Sequence, residues 1–304
     1  MTPTARTVLP TDLVALVSYD GRVYANAAMT IDRIGTQDSP SPLETAFEQW
    51  FSFATGRHTF ISVKGPTLRG LVSARKRGGK LAWEIDCLID AGHGDGGVLL
   101  SLLDQVTDAA GKAGALKIFL RLPAGSPEIE AATRCAFAPF RNEIVMRADT
   151  ASVTIGAPPA SLRRRAKPDL YPLFQLYNDV VPERERRYEA ATFAEWQSVQ
   201  ESLGRTAHWV IADGDRVTAS VRIAGDGDTG RFDLLAAPEA TDAALDAALH
   251  KLQNRPSLYA LVPDSAPGLR ERLAARGFEA AEEYTLLSRR TVRQVKAPKA
   301  VPAT

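Results

Sequence analysis

Apolar and polar positions alternate along this chain with strand-like and helix-like periods in a fixed order. Ala5 to Val8 reads as a short strand, and Pro10-Thr11-Asp12 as the cap of a helix through Leu13 and Leu16. Beyond a loop bounded by Pro40 and Pro42, Leu43 to Phe53 carries helical spacing around Trp50. The β-branched and aromatic run Thr59 to Val63 predicts a strand. Leu71 to Ala74 and Leu81 to Ile89 predict two more, about a turn at Arg77-Gly78-Gly79-Lys80. Gly94 to Ala113 predicts a helix with Leu99, Leu102, Leu103 and Val106 on one face, stopped by Gly114. Leu116 to Leu122 (strand), Glu128 to Cys135 (helix) and Phe140 to Arg147 (strand) follow.

The second half repeats this order. Leu170 to Val180 and Phe193 to Leu203 read as helices, and His208 to Ala212 with Arg216 to Ala224 as a hairpin about Asp213-Gly214-Asp215. Arg231 to Ala236 (strand), Thr241 to Leu252 (helix), Leu258 to Val262 (strand), Leu269 to Ala275 (helix) and Tyr284 to Ser288 (strand) complete it. Residue types recur as well. Asp12-Leu13-x-x-Leu16 returns as Asp169-Leu170-x-x-Leu173, and Phe47-x-x-Trp50 as Phe193-x-x-Trp196. His58-Thr-Phe-Ile61 returns as His208-Trp-Val-Ile211, Ile85-Asp86-Cys-Leu88 as Phe232-Asp233-Leu-Leu235, and Ala136-Phe137 as Gly277-Phe278. The five anchors keep their order at offsets of 141 to 157, so the chain reads as one unit of about 150 residues used twice. Residues 1–150 and 161–292 are the two copies. Residues 151–160, with Gly156, Pro158 and Pro159, are a linker, and the aperiodic tail 293–304 is expected to be disordered.

Composition narrows the classes. Of 304 residues, 45% are hydrophobic and 24% charged, which is ordinary for a globular protein. Lys and Arg stand at 16 against 16 Asp and Glu in residues 1–150, and at 21 against 20 beyond. Neither half has the basic excess that attracts a polyphosphate backbone, so nucleic acid is not an expected partner. Arg163-Arg164-Arg165 reads as a solvated strand end. No apolar run approaches the roughly 18 residues of a membrane span, and MTPTARTVLP lacks an apolar signal core, so neither membrane nor secretion is expected. With only Cys87 and Cys135, a disulfide scaffold is excluded and a reducing cytoplasm is expected.

The order strand, helices, antiparallel strands, glycine loop into a long helix, strand, helix ending before Gly/Ala-Phe, strand resembles the GNAT acetyltransferase superfamily. The resemblance spans about Thr4 to Arg147 and again Ser161 to Arg290. It implies an α/β fold of two tandem GNAT-like domains, each a mostly antiparallel mixed sheet flanked by helices. It also implies acetyl-CoA as co-substrate, no metal, and acyl transfer to an amine: a small molecule, a protein N-terminus or a lysine. The expected state is a monomer or homodimer. In such folds acyl-CoA enters between the two central strands, which here end near Ile89 and Pro123.

Backbone N–H groups at a helix N-terminus hold a pyrophosphate, and glycines let it approach closely. Gly92-His93-Gly94-Asp95-Gly96-Gly97-Val98 stands at that place in the first copy. The candidate acyl-CoA residues are therefore Leu88, Ile89, Gly94, Asp95, Gly96, Gly97 and Val98. No register satisfies the family signature Gln/Arg-x-x-Gly-x-Gly/Ala, and a plain glycine-rich turn is the alternative. The second copy has Ala237-Pro238-Glu239-Ala240-Thr241-Asp242-Ala243, with no glycine and two carboxylates, so the first copy is the better candidate.

Amine acylation needs a base, and Glu84 and Asp86 share one face of the preceding strand. Asp86 recurs as Asp233. A half-buried carboxylate there gains basicity, whereas a structural ion pair is the other reading. The family's general-acid tyrosine is replaced by Ala132 and Leu273. That loss, with the broken signature, supports a second class: a non-catalytic GNAT-like protein for ligand sensing or protein association. His58, His208, His93 and His250 show no metal spacing, Cys87 and Cys135 read as core thiols, and Trp50 and Trp196 as packing anchors.

Overall fold

The computed structural model describes residues 5–7, 25–36, 57–64, 67–91 and 96–292. The helices expected around Leu13 and over Leu43 to Phe53, the loop with Gly94 and Asp95, and the tail lie outside them. The first copy supplies strands β1 (Arg6–Thr7), β2 (His58–Lys64), β3 (Thr67–Lys76), β4 (Ala82–Asp90), β5 (Lys117–Pro123) and β6 (Ala138–Asp149). The second supplies β7 (Leu162–Arg164), β8 (Ala207–Asp213), β9 (Arg216–Asp226), β10 (Thr229–Ala236), β11 (Ser257–Pro263) and β12 (Glu279–Arg290). The helices are α1 (Gly96–Lys112), α2 (Glu128–Arg134), α3 (Leu170–Val180), α4 (Glu183–Glu189), α5 (Phe193–Val199), α6 (Thr241–Leu252) and α7 (Pro267–Ala275).

All twelve strands join one sheet in the order β1-β2-β3-β4-β5-β12-β6-β11-β10-β9-β8-β7. It is antiparallel except at β4/β5 and β10/β11. The two copies are present, each a mixed sheet, but each is completed by the other's last strand. β12 pairs with β5, β6 pairs with β11, and the two exchanged strands pair with each other. Within that central pair Glu143 opposes Tyr284, two positions made equivalent by the anchors Ala136-Phe137 and Gly277-Phe278. A local two-fold relation between the copies therefore passes between these residues.

Alternation along the strands sends neighbouring side chains to opposite layers. Ile118 and Leu120 pack with Leu99, Leu102, Leu103 and Val106 of α1. Phe119 between them packs with the aromatic layer of α3 to α5, including Trp196 and Tyr177. Helix α1 ends as read: Gly114 has φ +86°, and Ala115 N–H donates to Ala110 O at 3.0 Å. Gly78 and Gly79 serve a different purpose from turn geometry. Their N–H groups donate to Ser198 O at 2.9 and 3.0 Å, and a Cβ on either would press into Ser198–Gln200. The β3–β4 turn of one copy thus docks on helix α5 of the other.

Two elements depart from the sequence reading. Helix α4, ERERRYE, has charge but no apolar period and gave no signal. Helix α5 ends at Val199 instead of Leu203, and the extended stretch after it carries Glu201 into the buried joint between the copies.

Candidate active site

The two parallel strand pairs both splay. β4 and β5 are in register only from Ala82/Lys117 to Glu84/Phe119, and β10 and β11 only from Thr229/Ser257 to Phe232/Ala260. The gaps beyond differ. In the first copy, residues 26–33 of the same chain bridge it. Asn26 Nδ2 donates to Asp86 O at 3.1 Å, Leu88 N–H donates to Asn26 Oδ1 at 2.9 Å, and Ala27 N–H donates to Leu88 O at 2.9 Å. On the other side Met29 N–H donates to Arg121 O at 2.9 Å, and Arg33 Nη2 donates to Ala28 O and Asp86 O. Ile31 and Ile34 anchor the bridge against Val145, Leu261 and Tyr284. Among the described residues, no main-chain hydrogen bond bridges the β10–β11 gap. Exposure follows this contrast: β4 is buried from Ala82 to Ile89, whereas β10 is half-buried from Asp233 to Ala236.

The candidate residues of the first copy fall as follows. Leu88, and Val98 of α1, lie in one core cluster, and Ile89 is buried with Ile61 and Leu71. Gly96 and Gly97 open α1, while Gly94 and Asp95 lie outside the described residues. Asp86 is buried and pairs with Arg57 at 2.8 Å. Glu84 pairs with Arg75 at 2.7 Å; burial, and then the charge of Glu201, hold its carboxyl above the usual range. Ala132 and Leu273, at the tyrosine position, are both fully buried in their cores.

The second copy's gap opens on a cavity of about 140 Å³ between the copies, walled by β10, α3, α5 and the β3–β4 turn. Its apolar side includes Leu173, Trp196, Val199 and Leu234. Its polar side is a buried ion-pair network that the sequence reading missed. Glu201 accepts from Arg121 at 2.8 Å on each oxygen and from Arg77. Burial would raise the Glu201 pKa, but the charges of Arg121 and Arg77 hold it well below the carboxylate range. Glu143 accepts from Arg121 at 2.6 Å and Arg141 at 3.1 Å, and Glu189 accepts from Arg141 and from the Tyr177 hydroxyl at 3.2 Å. The available signal was the presence of Arg and Glu inside segments read as strands and helix (Arg121, Arg141, Glu143 and Glu201), with Arg77 in a turn. Sequence alone gave no way to bring residues 77, 121, 141 and 201 together.

Asp233 lies where this network meets the gap. Arg222 donates to its Oδ2 twice and also to Glu201 O. Next to it His208 Nε2 and Ser220 Oγ are 2.8 Å apart. Burial, and then the charge of Arg222, lower the His208 pKa to about 4, so the ring is neutral at pH 7. At the start of α6 the Asp242 carboxylate is neutralised by Arg272 at 3.0 Å and Arg276 at 2.9 Å. Among the described residues no cluster of three His, Cys, Asp or Glu could hold a metal ion, and no helix is long and apolar enough to cross a membrane.

This architecture is shared with solved structures. A GCN5-related N-acetyltransferase from Sphaerobacter thermophilus matches with a TM-score of 0.52 and 13% identity, over 95% of this chain and 97% of its own. A Pyrococcus horikoshii protein matches at 0.51 and 10% identity over 96% and 90%, and a Drosophila protein at 0.51 and 12% over 95% and 99%. No protein-family model matches the sequence. No curated protein matches it either. At these identities the likeness is one of fold: the chain has the GCN5-related N-acetyltransferase fold through both copies.

Proposed function

We propose that the protein is an acyl-CoA-dependent N-acyltransferase whose working cleft is that of the second copy, the first copy serving as its structural partner. The observation that carries this reading is the unbridged β10–β11 gap opening on the cavity, in a fold whose acyl-CoA enters at that gap. The bridge across the β4–β5 gap favours a first copy that binds no acyl-CoA. Neutralisation of Asp242 by two arginines removes one of the two repulsions that the loop sequence presents to a pyrophosphate.

In the reaction, the acceptor nitrogen attacks the thioester carbonyl carbon, a C–N bond forms and the C–S bond breaks. The proton leaves the nitrogen for Asp233, whose Oδ1 is not used by Arg222. Leucine at position 273 supplies no acid, so solvent protonates the departing thiolate.

Isothermal titration of the full chain with acetyl-CoA tests the reading: one molecule per chain is expected, and no heat would overturn it. Thiol release measured against a broad amine panel separates the two classes. Binding without turnover on any amine would make the protein a ligand-sensing relative instead.

A further inference from the structure

The cavity behind the β10–β11 gap carries two uneven ends. Its carboxylates Glu143, Glu189 and Glu201 each accept arginine hydrogen bonds on both oxygens. Arg77 is different. Its side chain is 2% exposed and lines the cavity, and only Nη2 is used, by Glu201, while Nε and Nη1 have no partner. Its guanidinium lies over the Phe119 ring at 4.2 Å. Buried donors left without acceptors are costly, and a planar fork of N–H groups matches a carboxylate. At the other end Asp233 receives both Arg222 bonds on Oδ2, and Oδ1 takes no bond from Arg222. One residue ties the two ends together: Glu201 holds Arg77 through its side chain and Arg222 through its carbonyl. Leu173, Trp196 and Val199 form an apolar stretch of the wall, beside the polar Gln200, His208 and Ser220. At about 140 Å³ the space is well below the roughly 300–1,000 Å³ of drug-sized sites.

We infer that the cavity is the acceptor subsite and that its ligand is a small amino acid with an apolar side chain, carboxylate on Arg77 and amine at Asp233. The inference rests on the second copy's cleft being the transferase site. It excludes polyamines and protein lysines as acceptors, because neither brings a carboxylate to Arg77 beside the reacting amine.

The test is calorimetry and thermal shift of the full chain with each standard L-amino acid, without and with acetyl-CoA. The amide and the deamino acid of the tightest binder follow. At least one apolar amino acid is expected to bind, and each analogue to bind roughly tenfold more weakly or worse. No amino acid binding, or an amide as tight as its acid, overturns the inference. These arms need no variant. Arg77→Gln adds a second: amino-acid affinity is expected to fall to that of the amide while acetyl-CoA affinity holds. Acetyl-CoA binding with no amino acid bound sinks the acceptor class alone. An amino acid bound with no acetyl-CoA heat upholds the ligand class and sinks the transferase reading.

Discussion

The Ala27 N–H donates to the Leu88 carbonyl at 2.9 Å, and the Leu88 N–H returns to Asn26 Oδ1 at the same distance. Both main-chain groups of a strand residue that would face an incoming ligand are thus taken by the chain itself. Asn26→Ala removes the shared acceptor of Leu88 N–H and Ala28 N–H, while Asp86 O keeps Arg33 as a donor. With unsatisfied buried groups costing about 1–3 kcal/mol each, urea unfolding should show a loss of about 2–6 kcal/mol. The number of acetyl-CoA molecules bound per chain is expected to stay at one.

Glu201 is the keystone of the joint. It stands against Arg77 and Arg121, both buried, so Glu201→Ala takes the counter-charge from Arg77 and leaves Arg121 with Glu143 alone. Breaking a buried pair in this way costs about 3–5 kcal/mol. Denaturant unfolding of the variant should show that loss, and a change below about 1 kcal/mol would mean that the network contributes little.

His208 sets a pH response. Its folded value of about 4 lies below the ordinary 6.5, so between these limits the unfolded chain binds the proton that the folded chain refuses. Stability is full above pH 6.5, falls as the pH drops toward 4, and the loss reaches at most about 3 kcal/mol. Glu201, held low in the folded state, adds its own loss only below its unfolded value of 4.5. His208→Gln should flatten the upper part of the curve in thermal melts between pH 7 and 5.

The two equivalent aspartates should separate in kinetics. Asp233→Asn is expected to lower turnover by about 10²–10⁴-fold with acetyl-CoA affinity unchanged. Asp86→Asn, under the bridge and beside Arg57, should leave turnover within a few-fold and act on stability. Equal losses from both would place the chemistry elsewhere.

Much of this was written in local sequence. Period and capping are short-range properties, so Leu170–Val180 and Thr241–Leu252 match their expected bounds residue for residue, and the core face of α1 was identified. The duplication was legible for the same reason, since each anchor is a local pattern met twice. Tertiary pairing decided the rest. Edge hydrogen bonds do not depend on which chain segment supplies them, so nothing local says that β6 completes the second copy and β12 the first. The Gly78-Gly79 turn reads the same whether it faces solvent or α5. The choice between the two clefts is likewise non-local: Asp86 and Asp233 sit in matching strand motifs, and only the path of residues 26–33 closes one gap and leaves the other on the cavity.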